Sequence, residues 1–264
     1  MTGSSETIQR LDPETRKGFR RLILSLADTK RILGIRYSDW LLGAPSIEAG
    51  IAVSSMAQDE WGHARLLYSV LKDFGDDPLE VEHSRDASAY ASVDTLDRPF
   101  PDWSAVVVGM VVVDGVLSSA LEGAGSGAYE PLSGRVSKML AEEEFHGELG
   151  RAWLRRIAES SGVGRARLRE RVEEVLLPTL RGLLPTDPLQ GRLVEAGLTA
   201  SSQELRDRVR EAVTPSLELL ELEFPVVEGQ GEGWDPDRGR GPGHPLEEAV
   251  ERARGDRNRA LFVE

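Results

Sequence analysis

The chain has 264 residues, no cysteine and a formal net charge of −13. This charge disfavours nucleic acids and anionic membranes as partners. The absence of cysteine excludes disulfides, thiolate zinc sites and iron–sulfur clusters, so any metal would be bound by carboxylate, imidazole or water. Because the polar N-terminus (1–12) has no apolar signal core, we expect a cytoplasmic protein.

Helical periodicity runs through most of the chain, with breaks that define four main helices. Asp12 is suited to cap the first helix, and Pro13 suits its first turn. The four helices are predicted at 13–42, 46–74, 102–122 and 131–160. The connections between them are short, long and short, which is typical of an all-α, ferritin-like four-helix bundle.

The C-terminal half adds further helices to this bundle. Two amphipathic helices are predicted at 165–184 and 202–222, and a short one at 246–254. The segment that follows residue 225 is rich in Gly, Pro and Asp, which predicts an irregular tail. We therefore expect a ferritin-like helical domain over 1–225 and a C-terminal tail with a short helix over 226–264.

The segment 105–121 is apolar enough to suggest a membrane span. It is shorter than the ~20 residues that a span needs, and Asp114 lies at its centre. A helix that is apolar on every side is better explained as the most buried helix of a bundle. We therefore expect no membrane association.

Two Glu-x-x-His motifs are the most informative feature of the chain. They are Glu60/His63 and Glu143/His146, in a chain with only four histidines. Residues three apart share a helix face, so each motif directs a carboxylate and an imidazole the same way. In ferritin-like bundles, two such pairs and one carboxylate from each of two further helices bind two iron or manganese ions.

Asp28 and Asp114 are predicted to supply the remaining two carboxylates. Residues equally far from a hairpin turn lie opposite each other, which puts Asp28 level with Glu60 and Asp114 within one turn of Glu143. Asp39 is the rival on the first helix, but it lies roughly 16 Å further along the helix than Asp28.

Each of these aspartates also has an alternative interpretation without metal. Asp114 could form a buried ion pair with an arginine such as Arg21 or Arg31. Asp28 precedes Lys30 and Arg31 closely, so it could instead belong to a surface ion pair.

Three segments carry a resemblance to a known family. They are QDEWGHARLLYSVLKDFG (58–75), VVVDGVLSSALEG (111–123) and AEEEFHGELG (141–150). They resemble the phenylacetate-catabolism oxygenases, the family of ring-1,2-phenylacetyl-CoA epoxidase, and in particular its catalytic A subunits. The similarity continues through 38–46 and 204–225, and so covers most of the chain.

This resemblance implies a non-haem di-iron oxygenase that uses O2 to epoxidise or hydroxylate an aromatic acyl-CoA. It implies that two iron ions, or manganese in their place, are bound by Glu60, His63, Asp114, Glu143 and His146. The three carboxylates among them are the expected catalytic residues. It also implies an oligomer, a separate flavin/iron–sulfur reductase and a structural partner subunit.

The first helix departs from the catalytic pattern. ADTKRILGIRYSDW (27–40) resembles the structural C subunit of the same complex, which lacks the metal site. Lys30 or Arg31 falls near the position of a ligand glutamate, and Asp28 is the predicted substitute. Two other functions therefore stay open: a non-catalytic structural subunit, and a ferritin-like manganese catalase or peroxidase.

Overall fold

The structure is a computed structural model that describes residues 3–256. Its α-helices in chain order are α1 (Gly3–Arg10), α2 (Pro13–Ser38), α3 (Ile47–Tyr68), α4 (Pro78–His83), α5 (Trp103–Val108), α6 (Asp114–Gly125), α7 (Glu130–Ser160), α8 (Gly162–Leu183), α9 (Pro188–Glu195), α10 (Ser202–Leu219) and α11 (Glu247–Arg254). The regular elements of the described residues are all helical, so the predicted all-α class is confirmed. The four predicted bundle helices correspond to α2, α3, α5 with α6, and α7.

The chain divides into two compact units. Unit 1 comprises Met1–Pro99 and Asp235–Glu264, and unit 2 comprises Phe100–Trp234. The predicted division at residue 226 differs from this grouping, because the segment from Asp235 onwards packs with unit 1. The last eight residues of the predicted tail, 257–264, lie outside the described residues.

Unit 1 is built around the α2–α3 hairpin. Asp12 caps α2, since its carboxylate accepts hydrogen bonds from the backbone N–H groups of Glu14 and Thr15. The two helices approach closely near Gly34, where an added Cβ would lie 2.4 Å from Nε1 of Trp61. A larger residue at this position would separate α2 from α3.

The C-terminal segment of unit 1 is held by a buried cation. Arg240 is 0% exposed, and its guanidinium lies 2.7 Å from both Asp94 Oδ1 and Asp97 Oδ2. The short helix α11 then packs against α2, with Ala249 and Ala253 buried beside Ile35. The predicted tail is therefore irregular only in part, and its packing explains why it belongs to unit 1.

The apolar segment of unit 2 is a core helix. The stretch Trp103–Gly125 is long and apolar enough to cross a membrane, but 83% of its most apolar window is buried within the protein. Gly150 of α7 allows close contact with this stretch, because a Cβ there would lie 2.7 Å from Cβ of Met110. The prediction of a central buried helix agrees with this burial.

Candidate metal centre

Glu60 and His63 lie on α3, in unit 1, on a buried face of the helix. The Ser46 hydroxyl caps α3 by accepting a hydrogen bond from the backbone N–H of Ala49. Glu60 is 0% exposed and His63 is 2% exposed. The first motif therefore presents its carboxylate and its imidazole to the interior of the protein.

Lys30 of α2 neutralises Glu60. Its Nζ lies 3.0 Å from Oε2 and 3.1 Å from Oε1 of Glu60, and neither side chain is exposed. A buried carboxylate requires a counter-charge or a proton, and here an ammonium group provides the charge. Lys30 thus lies where the resemblance to catalytic subunits calls for a ligand glutamate.

Asp28 has a set of partners different from the predicted one. Its two oxygens accept hydrogen bonds from Nη1 and Nη2 of Arg85, from the Tyr68 hydroxyl, and from the backbone N–H of Ala91 at 2.8 Å. The carboxylate is 0% exposed. It therefore forms a buried, bidentate ion pair on the long connection after α3, and we leave Asp28 out of the metal ligands proposed below.

This buried ion pair changes the ionisation of the groups around it. Burial raises the pKa of Tyr68 well above its usual range, and the charge of Asp28 raises it further. Burial, followed by the charge of Asp28, raises the pKa of Tyr90 to about 12. Burial opposes the charge of the Arg85 guanidinium, but Asp28 outweighs it and raises the Arg85 pKa above its ordinary value. Asp28 and Arg85 are thus both charged at neutral pH.

Asp114 begins α6, immediately after a π-helical turn at Gly109–Val113. Such turns interrupt the α-helical hydrogen-bond pattern and are frequent at functional sites. Asp114 is 2% exposed. The tight packing of Phe100 against Gly109, where a Cβ would lie 2.7 Å from Cζ of the ring, fixes the start of this turn.

Glu143 and His146 lie on α7 and face Asp114 within unit 2. Nδ1 of His146 lies 3.2 Å from Oδ2 of Asp114 and 3.4 Å from Oε2 of Glu143. One possible ligand atom from each of the three residues lies within 4.8 Å of the others, and all three side chains are buried. Unit 2 therefore brings together two carboxylates and one imidazole.

These three donors fit a first-row divalent metal ion. Two carboxylates and one imidazole suit iron or manganese, and three ligands leave coordination positions open. The donor set of unit 1 fits less well, because the ammonium of Lys30 carries positive charge and no lone pair to donate. The described residues thus separate the two motifs by chemistry: one converges with a further carboxylate, and the other is paired with a cation.

A cavity of about 250 Å³ within unit 2 reaches these donors. Its polar lining includes Asp114, Glu143, Glu144 and Arg151, and apolar residues such as Val209 of α10 form part of its wall. Gly115 adjoins open space, since no heavy atom lies within 4 Å of the position where a Cβ would stand. The cavity therefore gives a small molecule access to the carboxylates.

Comparison with known proteins identifies the family. A family model described as phenylacetic acid catabolic protein matches residues 3–254. The chain belongs to this family. It is also 23% identical over 193 residues to the A subunit of 1,2-phenylacetyl-CoA epoxidase from Escherichia coli K12. That match covers 71% of this chain and 62% of the relative, so it spans less than two thirds of the relative's length.

Sequence reasoning missed several partners in this member of the phenylacetic acid catabolic family. Arg85 and Tyr68 bind Asp28, although they lie 57 and 40 residues away in sequence. Lys30 was noted as a departure on the first helix, but its pairing with Glu60 was not predicted. Its place among apolar residues of α2 was the available signal, since a lysine buried on all sides needs an acidic partner.

Proposed function

We propose that this chain is a metal-dependent oxygenase component that uses O2 to epoxidise or hydroxylate an aromatic acyl-CoA. The observation that carries the proposal is the buried set of Asp114, Glu143 and His146 in a member of the phenylacetic acid catabolic family. The named activity of the relative in Escherichia coli supports the substrate class. The overall reaction places one oxygen atom on the ring and releases the other as water, with two electrons and two protons supplied from outside.

Iron is the cofactor we propose, with manganese as the other metal that suits the donors. Asp114, Glu143 and His146 would hold it, and it would supply the activation of O2 that amino-acid side chains cannot provide. Nδ1 of His146 lies within reach of both carboxylates, so these residues orient each other before any metal binds.

The cavity of unit 2 is the proposed binding site for the aromatic acyl group. Its volume of about 250 Å³ suits a ring with a short side chain better than a whole CoA thioester. Its apolar wall would exclude water from the ring, and the glycine at position 115 leaves room beside Asp114. The protein would thus contribute position and a dry environment.

Partner proteins follow from the same proposal. The relative is one component of an epoxidase, which supports an oligomeric assembly with a flavin/iron–sulfur reductase and a structural partner subunit. Leu42, Ile47 and Ile51 at the turn between α2 and α3 are 95%, 79% and 61% exposed. An exposed apolar patch of this kind is typical of a protein–protein contact. We propose that the assembly is cytoplasmic.

The test is turnover with labelled oxygen. The iron-loaded protein is mixed with its structural partner, NADH, a reductase of the flavin/iron–sulfur class and phenylacetyl-CoA under ¹⁸O2. We expect one labelled atom in the acyl product by mass spectrometry, and no product from Asp114→Asn. Equal turnover by this variant, or no labelled product from the iron-loaded assembly, would contradict the proposal.

A structural role is the second candidate, and one observation favours it. The Lys30–Glu60 ion pair lies where a catalytic subunit is expected to bind metal, and α2 resembles the non-catalytic branch of the family. A structural subunit would bind no iron after loading and would still raise the activity of a separate catalytic subunit. Metal analysis of the isolated chain distinguishes the two candidates.

A further inference from the structure

The pairing of Lys30 with Glu60 bears on how many metal ions the chain can bind. The ammonium contacts both carboxylate oxygens, at 3.1 Å from Oε1 and 3.0 Å from Oε2. The close approach of α2 and α3 at Gly34 holds these two helices together one turn from Lys30. The lysine is therefore fixed beside the carboxylate by the packing of the hairpin.

A divalent ion on Glu60 would lie very near this ammonium. Metal–carboxylate distances are about 2.0–2.2 Å, and each oxygen of Glu60 already lies about 3 Å from Nζ. The two cations would then stand within about 5 Å of each other in an environment without solvent, where like charges repel strongly. Lysine also offers no lone pair to the ion while it is charged. The first motif is thus unsuited to hold a metal.

The second motif has the opposite character. In unit 2, His146 lies between Asp114 and Glu143, at 3.2 and 3.4 Å from their oxygens. Two carboxylates and a neutral imidazole carry a net charge of −2, which one divalent cation compensates. In unit 1, the single charge of Glu60 is compensated by Lys30 alone.

We propose that the chain binds a single divalent ion, held by Asp114, Glu143 and His146, and that Lys30 takes the place of a second metal as the cation of Glu60. This inference rests on the proposed metal-dependent function and differs from the two-ion centre expected from the family. His63 is not a ligand in this arrangement, although its motif matches that of His146 in sequence.

The matched pair His63→Ala and His146→Ala tests the inference. Each variant is loaded with Fe(II) under anaerobic conditions, desalted and measured for metal per chain, with circular dichroism to verify the helical fold. We expect one ion per chain in the unchanged protein and in His63→Ala, and none in His146→Ala. Two ions in the unchanged protein, or equal metal loss in both variants, would overturn the single-ion inference and leave the proposed oxygenase function standing. No ion in the unchanged protein would overturn both.

Spectroscopy gives a second measurement that does not depend on activity. After oxidation, an isolated ferric ion has a low-field EPR signal, whereas a coupled pair of ferric ions is EPR-silent. We expect the full metal content to appear as the isolated-ion signal. A silent sample with a full load of iron would contradict the inference.

Substitution of Lys30 tests its role directly. Lys30→Glu supplies the carboxylate that the first helix lacks, and we expect the folded variant to bind a second ion. Lys30→Met removes the charge without adding a ligand and should stay at one ion. A folded Lys30→Glu variant that still binds one ion would show that the lysine is not what excludes the second. If this variant does not fold, the histidine pair still decides the question.

Discussion

The ammonium of Lys30 lies 3.0 Å from a carboxylate oxygen of Glu60, and neither side chain is exposed to solvent. Breaking such a pair from one side leaves a buried charge, at a cost of about 3–5 kcal/mol. We expect Lys30→Met to lower the free energy of unfolding by that amount in metal-free protein, as measured by urea denaturation. The double variant Lys30→Met/Glu60→Gln removes both charges and should recover most of the loss. A double variant as unstable as the single one would contradict this account.

The Asp28–Arg85 pair is expected to stabilise unit 1 far more than an exposed pair does. Asp28→Asn weakens a bidentate ion pair in which the aspartate is fully buried, so we expect a loss of about 3–5 kcal/mol. Asp39→Asn is the matched control, because Asp39 pairs with Arg252 at a partly exposed position. Its loss should be at most about 1 kcal/mol. Similar losses for the two variants by chemical denaturation would contradict the buried role of Asp28.

The pKa of Tyr90 predicts a dependence of stability on alkaline pH. Its pKa is raised to about 12 in the folded protein, from 10.0 for an ordinary tyrosine. The unfolded chain therefore loses the phenol proton first, so this contribution is complete below pH 10 and is lost as the pH rises towards 12. The loss amounts to about 2–3 kcal/mol.

Tyr90→Phe isolates this effect from other groups that titrate in the same range. The hydroxyl of Tyr90 has no hydrogen-bond partner among the described residues, so the variant should match the unchanged protein near pH 8. Between pH 10 and 12, the difference in unfolding free energy should shift in favour of the variant. Parallel curves for the two proteins would disprove the assigned cause.

Position 115 separates the binding of substrate from the binding of metal. A Cβ at Gly115 would meet no heavy atom within 4 Å, so Gly115→Ala should fold normally and gain up to about 1 kcal/mol from helix propensity. Gly115→Leu should fill part of the cavity beside Asp114 and weaken binding of the acyl-CoA at least tenfold by calorimetry. Its metal content should equal that of Gly115→Ala. Unchanged affinity in the leucine variant would remove the cavity from the proposed function.

Metal binding is expected to raise thermal stability through the ligands of unit 2. A ligand present at 100 times its Kd stabilises the folded state by about 2.7 kcal/mol, and this shift should vanish in Asp114→Asn. His83→Ala is the control, since His83 hydrogen-bonds the carbonyl of Arg254 in unit 1. Its metal-induced rise in Tm should equal that of the unchanged protein. A control that loses the rise would point to binding elsewhere.

The helices were predictable because their signals are local. The cap formed by Asp12 and Pro13 fixes the start of α2 where the sequence predicts it, and the short, long and short connections separate the four main helices. The apolar stretch around Asp114 was correctly interpreted as a core helix, since a charged residue at the centre of a membrane span is costly. These inferences need only neighbouring residues and periodicity.

The partners of buried charges were not predictable in the same way. Helical spacing shows which residues share a face, but it does not show which long side chain reaches across to another element. The irregular connection after α3 brings Arg85 to Asp28, and no periodic pattern governs that connection. Lys30 and Asp28 are two residues apart, on different sides of α2, and the sequence alone did not indicate which one would meet Glu60.

The π-helical turn at Gly109–Val113 has a consequence for insertions and deletions in this chain. A π turn closes its hydrogen bonds over one residue more than an α turn does. Deleting a single valine from 111–113 would let the helix continue in regular α geometry, but would turn Asp114 by about 100° relative to the residues before it. The carboxylate would then leave His146, although every donor in the sequence would still be present.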